Sequence, residues 1–62
     1  MQEATEIRIL TPAQERLARA MARQHALDVR FRPLEEFLPG EGTGSIVAIA
    51  HGRAAAAWLQ TF

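Results

Sequence analysis

Cysteine is absent from the 62 residues, which excludes disulfide staples, thiol catalysis and thiolate metal sites. The absence fits a reducing compartment, and a cytoplasmic location is the expectation. Lysine is missing too, so all seven basic side chains are arginine. Their planar forks bind carboxylates or phosphates bidentately where lysine acts as a point charge. With alanine at about a fifth of the positions, the composition is bacterial-like, the bias a GC-rich genome also produces. No run approaches the roughly 18 apolar residues of a membrane span; even residues 46–59 are interrupted by His51, Gly52 and Arg53. The opening MQEATEIRIL carries acidic groups and lacks the apolar segment of a secretory signal, so neither export nor a membrane role is expected. Seven acidic residues balance the arginines, so no global field draws the chain to nucleic acid or anionic lipid.

Residues 1–62 read as one small domain. A domain of this size buries only about 60% of the surface its unfolded chain exposes. Without disulfides, and with only two histidines to offer a metal, self-association is the expected support. The expectation is a homodimer or docking to a larger protein.

Glu6-Ile7-Arg8-Ile9-Leu10 alternates like a half-buried strand. Thr11, Pro12 and Gln14 then form a T-x-x-Q capping box with proline at the first helical position, and the helix runs to near Ala26. Ala13, Leu17, Ala20, Met21 and Leu27 share one face, with Gln24 among them, and that face is expected on the sheet. Ala18, Ala22 and His25 flank it as a smoother side that faces water or lets another element approach closely. Val29-Arg30-Phe31-Arg32 alternates again and stops at Pro33. A helix between two strands suggests a right-handed unit with the strands parallel, antiparallel placement being the alternative. Leu34-Glu35-Glu36-Phe37-Leu38 fits one helical turn with Leu34, Phe37 and Leu38 inward. The turn-rich residues 39–45 form a loop, and Ile46-Val47-Ala48-Ile49-Ala50 suits a strand buried on both faces.

For the remainder, His51-Gly52 fits a hairpin turn, whereas residues 54–57 have the strongest helix propensity available. The hairpin is preferred because the apolar run continues across the turn. The fold class is therefore α+β, a β-α-β-β-β domain with one amphipathic helix on a three- to four-stranded mixed sheet. Its alternative places residues 53–61 in a second, C-terminal helix. The element order is similar to a trimmed thioredoxin-like arrangement in topology alone, since no C-x-x-C or other residue motif identifies a family.

No motif carries chemistry. The G-x-G-x-G of residues 40–44 precedes a strand, lacks lysine and includes Glu41, so it reads as a connector and not as a phosphate loop. His25 and His51 share no ligand spacing with Asp28, Glu35 or Glu36, and Ser45 lies in no nucleophile-elbow pattern. No catalytic residue, cofactor or metal is assigned. The best electrostatic constellation is Arg16, Arg19 and Arg23 on the helix with Arg30 and Arg32 on the second strand, expected to meet an acidic partner. Ile46, Ala48, Ala55, Ala57, Trp58, Leu59 and Phe62 are the expected association surface, because one helix covers only one side of the sheet. The sequence favours a non-enzymatic protein-interaction or regulatory module. A nucleic-acid-binding accessory protein is the alternative, and a small oligomeric enzyme with an interface active site comes third.

Overall fold

The computed structural model describes residues 4–41 and 44–62. Gly42 and Thr43, in the middle of the glycine loop, lie outside the described residues. The chain is an α+β domain with elements β1 (Thr5–Leu10), α1 (Pro12–Gln24), β2 (Val29–Pro33), a 3-10 turn (Leu34–Glu36), β3 (Ile46–His51) and α2 (Arg53–Leu59).

The capping box at Thr11 forms as the sequence predicts. The Thr11 hydroxyl accepts from the Gln14 N–H at 3.2 Å, and Gln14 Oε1 accepts from the Thr11 N–H at 2.9 Å. Thr11→Ala should therefore cost about 1 kcal/mol in urea unfolding, with the slope of the transition unchanged. At the other end the Leu27 N–H donates to the Ala22 carbonyl at 2.9 Å and the Ala26 N–H to that of Arg23 at 3.3 Å. This is a Schellman closure, and it holds Ala26 at φ 53°, a left-handed conformation that glycine adopts without steric cost. Ala26→Gly should stabilise the fold by about 1 kcal/mol, read as a higher urea midpoint.

The strand order is β1-β3-β2, and β3 pairs antiparallel with both neighbours. β1 and β2 thus run parallel but with β3 between them, a split β-α-β arrangement. No parallel pair exists among the described strands, so the expected mixed sheet is an antiparallel one of three strands and the thioredoxin-like analogy lapses. The central place of β3 also decides its C-terminal neighbour. Both of its edges are occupied, which leaves no ladder for a hairpin partner, and residues 53–59 form α2 instead. Gly52 makes the turn at φ 98°, a conformation that disfavours any side chain.

Cross-strand register assigns the two faces. Glu6, Arg8 and Leu10 share a face with Ala50, Ala48 and Ile46 and with Val29, Phe31 and Pro33. Both helices lie on this face, since Ala18 of α1 and Ala55 and Leu59 of α2 join Leu10, Ala48 and Ala50 in one core cluster. Helix α1 docks through Ala18 and Ala22, not through the expected Leu17 and Met21 side, a rotation of more than a quarter turn. Two helices share one narrow sheet, and alanine on each lets both backbones come close to Ala48 and Ala50. Leu17 is left 56% exposed. Leu34 is buried as expected, whereas Phe37 and Leu38 are not turned inward but lie exposed.

Candidate interaction surface

The other sheet face carries the odd-numbered positions of β1 and β3 and the even ones of β2. Thr5 pairs with His51, Ile7 with Ile49 and Ile9 with Val47, while Arg30 and Arg32 stand opposite Ile49 and Val47 from the far side. Val47, between Ile9 and Arg32, is buried, and Ile49 is half-buried. Ile7 and Ile9 are each 59% exposed. Strand alternation produces this directly, because the covered face of β1 takes Glu6, Arg8 and Leu10 and the isoleucines must point the other way. The result is an isoleucine-rich patch with arginines along one side.

The five arginines grouped by sequence do not form one surface. Arg30 and Arg32 belong to the open sheet face. Arg16, Arg19 and Arg23 are exposed on α1, in the helical layer on the opposite side. Arg19 is engaged within the chain, bonded to Glu15 at 2.7 Å and set 4.7 Å above the Phe31 ring. Arg32 holds Glu36 through Nε at 2.9 Å and a second guanidinium nitrogen at 2.5 Å. This hydrogen bond, then the charge of Glu36, raises the Arg32 pKa above its usual value. Arg16, Arg23 and Arg30 have no side-chain partner among the described residues.

The expected association residues are also divided. Ala48, Ala55 and Leu59 are enclosed in the chain's own core, and Trp58 and Phe62 pack against it, their rings edge-to-face at 5.0 Å. Ile46 is half-buried on the helical face, and Ala57 is exposed. Their burial is met largely by α2 itself. Ile7 and Ile9, which carry the open apolar area, are absent from that set, and the signal for them was the I-x-I alternation of the first strand.

His25 closes the C-terminus of α1 in an exposed position, while His51 sits at the end of β3, half-buried, its N–H bonded to Asp28 O at 2.9 Å. Among the described residues no three His, Asp or Glu side chains are grouped as metal ligands would be, and no polar or charged residue is buried. No described helix is long and apolar enough to cross a membrane. Comparison with protein-family models, curated proteins and solved structures finds no significant match to this chain.

Proposed function

We propose that this chain is a small non-enzymatic protein-interaction or regulatory module, joining a second copy or a larger protein through the open sheet face. Arg30 then meets an acidic group at the edge of that contact, next to the Arg32–Glu36 pair. The observation that carries the reading is the one-sided sheet: both helices lie on one face, and Ile7 and Ile9 remain 59% exposed on the other. Full burial of an aliphatic side chain is worth about 1.5–3 kcal/mol, so a partner covering both gains a substantial apolar contribution. The free Arg30, across β3 from Ile7, supplies charge selectivity more than affinity.

A nucleic-acid role fits this face less well. Sheets that bind single strands stack bases on outward aromatic rings. Phe31, the one aromatic residue of the three strands, points into the helical layer beneath Arg19. An enzyme would require an acid–base pair, and His25 and His51 stand at a helix end and a strand end without acidic side-chain partners among the described residues.

Amide NMR distinguishes these readings. Titration at low salt with an acidic amphipathic peptide should shift resonances of Ile7, Ile9, Ile49 and Arg30 while leaving Arg16 and Arg23 in place. A single-stranded oligonucleotide should give no saturable shift. Saturable oligonucleotide binding that weakens steeply with salt would replace this reading with the nucleic-acid one. No response to the peptide on the open face would remove it.

A further inference from the structure

We infer that the free edge of β1 pairs with β1 of a second copy, antiparallel about a two-fold axis at Ile7. This goes beyond the association reading above: the second copy joins at the sheet edge and leaves the open face to a larger partner. The Gly52 N–H donates to Ala4 O at 2.8 Å, in line with the β1–β3 register. Residues alternate along an antiparallel ladder, so Glu6, Arg8 and Leu10 exchange hydrogen bonds with β3, and Thr5, Ile7 and Ile9 turn their N–H and C=O groups outward. No strand pairs with that edge among the described residues.

The two edges of the sheet differ. On β2 the outward positions are Val29, Phe31 and Pro33. The Val29 N–H is already donated to Leu27 O at 3.1 Å, and Pro33 has none to give. Proline is a common guard against edge pairing. β1 carries no proline, and two of its three outward residues are isoleucine.

Charge then selects both the occupant and the register. Centring the pair on Ile7 places Ile7 opposite the partner's Ile7 and Thr5 opposite the partner's Ile9, so the outward backbone groups meet in hydrogen-bonding pairs. It also sets Glu6 opposite the partner's Arg8, and Arg8 opposite the partner's Glu6. Centring on Glu6 or Arg8 keeps the backbone pairing but brings like charges face to face, which disfavours those registers. The triplet Glu6-Ile7-Arg8 is thus complementary to its own reversal. Within the monomer Glu6 and Arg8 already share the helical face at 3.3 Å, and the second copy extends that pair into a two-by-two quartet of alternating sign. The two-fold axis stands perpendicular to the sheet, so all helices stay on one side and the open faces join. The assembly is a six-stranded sheet with the isoleucines at its centre.

A charge swap tests the register. Wild-type chain should sediment as a dimer. Glu6→Arg alone and Arg8→Glu alone each turn both cross-strand pairs repulsive and should weaken self-association roughly thirtyfold. An equimolar mixture of the two variants should recover a heterodimer, because every cross-strand pair is again of opposite sign. Glu6 and Arg8 also contact Gln60, so a synthetic chain with an N-methyl group on Ile7 serves as a second probe. It loses an outward donor without touching those contacts, and it should be monomeric with wild-type circular dichroism. A monomeric wild type, a dimer indifferent to N-methylation, or failure of the two folded variants to recover each other would overturn the inference. A monomer that still binds the acidic peptide on its open face would leave the broader association reading intact.

Discussion

Leu59→Ala is expected to remove about half or more of the fold's stability. Leu59 is 0% exposed and, with Leu10, one of the two largest fully buried side chains among the described residues. It is the anchor by which α2 holds the core cluster formed with Leu10, Ala18, Ala48, Ala50 and Ala55. Most of those neighbours are alanines, whose short side chains cannot collapse into the space left behind. Truncating a buried leucine costs about 2–5 kcal/mol, toward the upper end where the site does not relax. A domain of 62 residues has a total stability of roughly 3–9 kcal/mol at 0.05–0.15 kcal/mol per residue. The loss is therefore comparable with the whole. Far-UV circular dichroism and urea titration read the outcome, with the exposed Leu38→Ala as a control expected within about 0.5 kcal/mol of wild type. A cooperative transition less than 1 kcal/mol below wild type would show that α2 is held by something other than Leu59.

The second large effect separates two orientations of α1. Ala18 is 0% exposed and sits in the cluster with Ala48 and Ala50, so Ala18→Leu inserts three carbons into a closed interface between helix and sheet. Overpacking of this kind costs about 1–3 kcal/mol through displaced backbone, while the helix propensities of leucine and alanine differ little. Leu17→Ala, at a residue more than half exposed, should change stability by no more than about 0.5 kcal/mol. If the helix instead docked by the Leu17 and Met21 side, the order of the two effects would reverse. The same urea experiment on both variants reads the helix orientation directly.

Local signals were legible in the sequence. The Thr11 capping box, proline at the first helical position, alternation in β1 and β2, the continuous apolar run of β3 and the helical turn after Pro33 are short-range chemistry, and each lies where its residues place it. What depended on distant partners was not. The face of α1 followed from a second helix competing for the same sheet, and the helix at residues 53–59 from the two occupied edges of β3. Neither constraint is visible in a window of ten residues. The candidate surface divided for the same reason. Arg30 and Arg32 alternate with Phe31, whose ring turns to the helices, so the arginines turn away from Arg16 and Arg23. The expected mismatch between apolar strands and insufficient cover persists in altered form: cover is doubled on one face, and among the described residues no helix lies on the other.

The position of β3 also sets the order of events during synthesis. β1 and β2 have no hydrogen-bonding contact with each other and meet only through β3. Thr5 must find His51 across most of the chain, a closure whose entropic cost precedes any reward from the ladder. A nascent chain that has not yet reached Ile46 holds a capped helix and two strand segments without a sheet. Until the ribosome delivers the central strand, the β1 segment has no neighbour to complete its hydrogen bonds or to cover Ile7, Ile9 and Leu10.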